Sequence, residues 1–243
     1  MELVKDTFNE RVREIESYFD LVSNIESAIG QGSARFDVNG QPYQITPIQQ
    51  KVMYSVIYLQ LYNLVEATMN LLIEAVERNT RESIDGDVSL LSENLRNLYV
   101  KFVTQPEDDS SGYEAKLKRA LCLFKQILRI EPADIGFPAG GGGNWNYTEI
   151  RSYSLSLGVE INLPPRVNTM VQRRIRNNEP PLQLIKRYRN DLAHGAISFE
   201  ACGEGHVASD FRYLIDVVKL YLTHVIDAYE LFITEQRFRS PVA

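Results

Sequence analysis

One stretch constrains the architecture of this chain more than any other. Thr46-Pro47-Ile48-Gln49 has the form of a capping box with proline at the first helical position, so a helix should begin there. From it to about Asn79, Tyr54, Ile57, Tyr58, Leu61, Tyr62, Val65, Met69, Leu72 and Ile73 spread over a wide face rather than a narrow stripe. A helix apolar over that much of its circumference has to be covered by other elements, which makes it the centre of a bundle.

The neighbouring segments supply the cover. Phe8, Val12, Ile15, Phe19 and Val22 recur at helical spacing within an opening segment from about Leu3 to Ile29, with Gly30 as the stop. Extended alternation around Asn39-Gly40 predicts a small β-hairpin near residues 35–45. A third helix is expected over Ser89 to Val103, broken by the polar, acidic run Pro106 to Gly112. Ser111-Gly112-Tyr113-Glu114 then reads as a second capping box, opening a helix that ends near Ile130. A short helix over Tyr147 to Leu157 stops at Gly158, and Pro164-Pro165 leads into a basic stretch. Pro180-Pro181 opens the next helix, and Ser209 or Asp210 caps a long last one to about Phe238. The expectation is an all-α bundle with long central and C-terminal helices. It should form one domain over residues 1–243, with the hairpin and a flexible loop over 132–146 as insertions. Gly140 to Gly143 form the glycine-rich part of that loop, where the backbone loses the most entropy on ordering. No Lys-Ser/Thr follows them, so a phosphate-cradling loop is rejected.

Composition narrows the function classes. At 243 residues and 44% hydrophobic, the chain can bury a core without metal or disulfide staples. Cys122 and Cys202 lie far apart with no C-x-x-C pattern, which points to a reducing compartment. No run approaches ~18 uninterrupted apolar residues, and the first residues lack the order of a signal peptide, so a soluble, cytoplasmic protein without a membrane partner is expected. A net charge of −6 does not suit a protein that coats nucleic acid. Yet Arg166, Arg173, Arg174, Arg176, Lys186, Arg187 and Arg189 crowd the stretch between Pro165 and Asn190 against the single acid Glu179. A local basic strip on an acidic body fits brief contact with RNA, with Arg173, Arg174, Arg176, Lys186 and Arg187 as candidate contacts.

Within that strip lies Arg189-Asn190-Asp191-Leu192-Ala193-His194, followed by Gly195. On a helix, Asn190 and His194 face the same way, and Arg189 lies roughly 140° round from His194. If two copies of this helix met across a two-fold axis, one cleft would hold two arginines and two histidines. That set suits attack of an RNA 2′-hydroxyl on its own 3′-phosphate. An imidazole, with an unperturbed pKa of about 6.5, exchanges the protons, and arginine holds the phosphorane charge with parallel donors. The ribose hydroxyl is the nucleophile, so DNA would not be cut. Spacing alone is weak support, since an arginine and a histidine five apart occur by chance in many proteins.

The Arg-Asn-Asp-Leu-Ala-His-Gly run, set between a Leu184-Ile185-rich helix and a long C-terminal helix, resembles the Arg-x4-His signature of the HEPN superfamily of helical-bundle ribonucleases. The Phe8 to Phe19 helix, Leu64-Val65-Glu66-Ala67, Gly143-Asn144 with Ile150 and Gly158, and the Ser209-Asp210 helix start are similar to its MAE-type subgroup. The resemblance implies that Arg189 and His194 are the catalytic pair and that Asn190 helps orient the site. It also implies a metal-independent endoribonuclease with no cofactor, acting as a homodimer in a bacterial toxin-antitoxin or phage-defence system, under an antitoxin or other regulatory protein. Where some HEPN toxins carry a modifiable tyrosine two residues after the histidine, this chain has Ala196. The rival expectation is a non-catalytic HEPN-like module that binds protein or RNA.

Other residues carry two readings each. Glu66, on an otherwise apolar helix, either meets and orients Arg189 or is an ordinary helix acid or structural ion pair. Asp191 faces away from His194 and reads as surface or interface charge. Tyr54, Tyr58 and Tyr62 form a stripe that is core or dimer contact before it is a base-stacking surface. Trp145 and Tyr147, beside the glycine loop, are the candidate aromatics for touching RNA. Cys202, His206 and His224 have poor zinc spacing, and no metal site is expected.

Overall fold

In the computed structural model, which describes residues 1–32, 35–105, 112–138 and 144–240, the chain is a helical bundle. Gly140 to Gly143 and Pro106 to Ser111 lie outside the described residues. The helices are α1 (Glu2–Gly30), α2 (Pro47–Ile84), α3 (Glu93–Thr104), α4 (Tyr113–Ile127), α5 (Tyr147–Leu157), α6 (Pro165–Gln172), α7 (Pro181–Ala193), α8 (Phe199–Gly203) and α9 (Ala208–Thr234). Strands β1 (Arg35–Val38) and β2 (Gln41–Gln44) form an antiparallel hairpin with Asp37 opposite Pro42.

α2 is the axis of the bundle. Its capping box is complete: Thr46 Oγ1 accepts from Gln49 N–H, and Gln49 Oε1 accepts from Thr46 N–H at 2.8 Å. The helix runs to Ile84, past the expected Asn79, because its apolar face continues through Val76 and Ile84. It is long and apolar enough to cross a membrane by length and composition, but 56% of its most apolar window is buried in the bundle, as in a core helix. α1, α7, α8 and α9 pack against it.

Polar contacts fix the order of these helices. Lys5 pairs with Glu230 at 2.7 Å, and Glu16 takes Arg212 at 2.7 Å, so α1 and α9 run antiparallel. Burial opposes ionisation of Glu16, yet Arg212 and Lys219 together hold its carboxyl below the usual value. Glu26 accepts from both the Tyr54 hydroxyl and Ala208 N–H, tying α1 and α2 to an orphan donor of α9's first turn. Asp210 Oδ2 accepts from Val207 N–H at 3.2 Å, so α9 starts at Ala208 with Asp210 completing its cap from inside. α9 ends at Thr234, short of the expected Phe238.

Several expectations need correction. The segment over Ser89 to Val103 is split into a 3-10 turn at Val88–Leu90 and α3, each capped by its own side chain, Asp87 and Ser92. α4 begins at Tyr113, with Gly112 as N-cap and no side-chain cap, and ends at Ile127 rather than Ile130. The parts of 132–146 that are described are packed, not loose: Ile135, Phe137 and Trp145 are in the core. Arg81 donates to Ile135 O at 2.7 Å, Glu77 accepts from Phe137 N–H at 2.9 Å, and the Tyr62 hydroxyl accepts from Trp145 N–H at 3.1 Å. Two short helices, α6 and α8, were not expected at all. α8 is capped by Ser198, whose hydroxyl accepts from Ala201 N–H. It lies flat on α2 because Gly203 has no side chain: a Cβ there would stand 2.0 Å from Lys51 O. Gly203→Ala therefore forces backbone against backbone. It is expected to cost about 1–3 kcal/mol as overpacking and to lower the thermal midpoint by several degrees, read by circular dichroism.

Candidate functional site

The Arg-x4-His run occupies the last turn and a half of α7. Pro181 sits at its first turn, where a missing N–H costs nothing, and Leu182, Leu184, Ile185, Tyr188 and Leu192 form the buried stripe that seats it. Arg189 follows Tyr188 on the edge of that stripe, so its side chain is drawn over α2. The guanidinium carbon lies 4.3 Å from the centre of the Tyr62 ring. Nη1 donates to Asn190 Oδ1 at 2.8 Å, and Nη2 stands 3.4 Å from Glu66 Oε2. Tyr62 and Glu66 are one turn apart on α2, and Trp145 N–H anchors the Tyr62 hydroxyl. Arg189 is thus held on three sides, while the long reach to Glu66 leaves that carboxylate short of a tight hydrogen bond.

His194 ends the helix. Ala196 N–H bonds Asp191 O at 2.8 Å and Gly195 N–H bonds Leu192 O at 3.2 Å, the paired bonds of a Schellman motif, with Gly195 in the left-handed region at φ +69°. The His194 imidazole is exposed, and it makes no hydrogen bond or ion pair among the described residues. Asp191 contributes its carbonyl to this termination, and its carboxylate stands 3.4 Å from Arg187.

The basic strip divides. Arg187 is tied to Glu179 at 2.7 Å and to Asp191, and lies over the Tyr188 ring at 4.3 Å. Arg176 donates to the carbonyls of Glu204 and Gly205 and to His206 Nδ1. Both guanidinium groups are tied into the fold while remaining partly exposed. Arg174 is exposed and donates to Asn178 O. Arg166 and Arg173 are exposed, with Arg173 reaching over the Tyr213 ring, and Lys186 is half-buried.

The aromatic expectations are also revised. Trp145 is 1% exposed, edge-on to Tyr153 at 5.6 Å, and has no face to offer a base. Tyr147 is half-buried, its hydroxyl donating to Asn168 and accepting from Arg151. Tyr54, Tyr58 and Tyr62 are core. His206 is not poised as a ligand: Nε2 is 3.3 Å from the Tyr58 hydroxyl and Nδ1 is 3.1 Å from Arg176. It floors a cleft of 360 Å³ between α7 and α9, walled by Ile175, Leu184, Tyr213 and Leu214. Reading the sequence for metal spacing missed this cleft, because the residues that form it are brought together only by the packing of α7 on α9.

The family model described as HEPN_MAE_28990-like HEPN matches residues 1–238. The chain belongs to this HEPN family. No curated protein and no solved structure matches it.

Two outcomes follow from this geometry. Burial, reinforced by Arg176, holds the His206 imidazole down at about 4. The folded state therefore refuses a proton that the unfolded chain accepts near pH 6.5. The contribution to stability is full above about 6.5 and is lost as pH falls from there to about 4, with an upper bound of about 3 kcal/mol. His206→Gln should flatten the urea-unfolding free energy across that window, relative to wild type. Trp145→Ala is expected to lose about 3–5 kcal/mol by opening a core cavity, seen as a lower urea midpoint.

Proposed function

We propose that this HEPN protein is a metal-independent endoribonuclease in which Arg189 and His194 act across a pair of chains. The observation that carries the reading is the contrast between them: Arg189 held against Tyr62, Glu66 and Asn190, and His194 exposed and unbonded at the helix end. His194 takes the proton from a ribose 2′-hydroxyl, whose oxygen attacks the adjacent phosphorus. The bond to the 5′-oxygen breaks, an imidazolium returns a proton to that oxygen, and the products are a 2′,3′-cyclic phosphate and a 5′-hydroxyl. Arg189 donates to the non-bridging oxygens as charge builds on them. Glu66 and Asn190 are positioning residues, acting through the guanidinium. Arg189 and His194 diverge on one helix, so a second α7 related by a two-fold axis supplies the complementary partner for each. An exposed RNA-cutting centre of this kind suits a toxin or effector in a bacterial toxin-antitoxin or phage-defence system, and the water-facing Arg166 and Arg173, with the half-buried Lys186, suit transient RNA contact.

A second reading has its own support: Arg189 finds Tyr62, Glu66 and Asn190 within its own chain, so the same residues serve equally as a clamp between α7 and α2 in a non-catalytic binding module. The two readings separate in one experiment. An RNA pool is incubated in EDTA with wild type, Arg189→Ala or His194→Ala, and the product ends are analysed. The enzyme predicts cyclic phosphate ends and a loss of about 10²–10⁴ in rate for either variant. A mixture of the two variants should recover activity through the mixed pair, which retains one intact Arg189 and His194. Folded, inactive protein in all samples supports the binding module.

A further inference from the structure

We propose that α4, with the groove beside it, is the docking surface for an acidic amphipathic helix of a partner protein. This surface is separate from Arg189 and His194, and the inference stands whether or not the chain cleaves RNA.

α4 is turned opposite to the usual sense of a bundle helix. At 3.6 residues per turn, Tyr113, Leu117, Leu121, Phe124 and Leu128 fall on one arc of roughly a quarter of the circumference. That arc faces solvent, with Leu121 52% and Phe124 60% exposed. The inward side carries Ala115, Cys122 and Gln126, and Gln126 is buried with Oε1 accepting from the Tyr99 hydroxyl at 2.7 Å. α4 therefore rests on α3 through Leu123 together with small and polar groups. Val100 of α3, 41% exposed, continues the apolar surface into the groove. Between the two helices runs a groove of 280 Å³ lined by Val88, Arg96, Tyr99, Val100, Leu123 and Ile127. Single exposed leucines are ordinary, but a contiguous apolar stripe beside an apolar groove marks an interaction site.

Charge selects the occupant. Lys116 borders one edge of the arc, and Lys118 and Lys125 border the other, while Glu114 is the one acid between Tyr113 and Arg129. Lys116 and Lys118 make no ion pair with a described residue, and Lys125 meets only Glu131. A second copy of α4 would set lysines against lysines. A helix with leucines along one stripe and glutamates beside it matches both the arc and its borders, as flanking charges do in coiled coils. The groove favours such a helix over a lipid surface, because a helix carries side-chain anchors that a groove can seat.

The test uses a labelled synthetic helical peptide with leucine at its a and d positions and glutamate at e and g, and its counterpart with lysine at e and g. Each is titrated by fluorescence anisotropy against the full chain. The glutamate peptide should bind at least about tenfold tighter than the lysine peptide and weaken as salt rises. The double variant Leu121→Glu/Phe124→Glu should lose that binding by about tenfold or more with its circular dichroism unchanged. If that variant does not fold, Lys116→Glu/Lys118→Glu keeps the apolar arc and should reverse the preference between the peptides. Equal binding of the two peptides, or binding of neither, overturns the proposal. So does sedimentation with phosphatidylserine vesicles, or self-association abolished by the double variant, in place of peptide binding.

Discussion

The requirement that α2 be covered organises the rest of the molecule. A helix with Tyr58, Leu61, Met69 and Leu72 all withdrawn from water needs neighbours on several sides, and α1, α7, α8 and α9 are those neighbours. Each fully buried side chain of this size contributes about 1.5–3 kcal/mol, so no single polar contact competes with the cover as a whole. Polar groups instead decide how the cover is set. Glu26 joins α1, α2 and the first turn of α9 through one carboxylate, and Gly203 lets α8 lie at backbone contact with α2.

The Arg189 clamp belongs to that second class. Both partners of the Arg189 and Glu66 pair keep about a quarter of their side-chain surface in water. An ion pair so exposed is worth at most about 1 kcal/mol, and the contact with the Tyr62 ring a similar amount. Contributions of that size do little for the stability of the bundle, but they choose one position for a flexible side chain among many. The geometry is therefore best understood as placement: α2, the buried central helix, sets where the guanidinium stands.

Local signals in the sequence anticipate local structure. The Thr46 to Gln49 box, the Asn39-Gly40 hairpin and the α5 boundaries at Tyr147 and Leu157 each depend on residues within a few positions of one another, and the structure has them where the spacing places them. For Glu66 the sequence leaves two readings open, a partner for Arg189 or an ordinary helix acid, and the fold sets it 3.4 Å from the Arg189 guanidinium. What escaped depends on distant parts of the chain. Trp145 is buried because α2 and α5 close over it, although its glycine-rich surroundings suggest exposure. α8 is too short for periodicity to reveal and exists by virtue of its fit to Lys51 and Ser55. α4 shows a strong amphipathic pattern, but the pattern alone does not say which arc meets the bundle.

The same long-range pairing reshapes the electrostatics of the α6 to α7 region. Read along the sequence, seven cations between Pro165 and Asn190 form one basic strip. In the fold, Arg187 is neutralised by Glu179 and Asp191, and Arg176 is turned inward to carbonyls and to His206, whose neutrality is maintained by burial and by Arg176 itself. The cations left facing water are fewer, on a chain of net charge −6. Affinity for phosphates scales with the number neutralised, so an RNA bound at this strip would be held weakly and released easily in salt. Weak, sequence-blind grip is a disadvantage for a protein that stores or coats RNA. For the endoribonuclease proposed above, it is the condition under which a cutting centre would turn over.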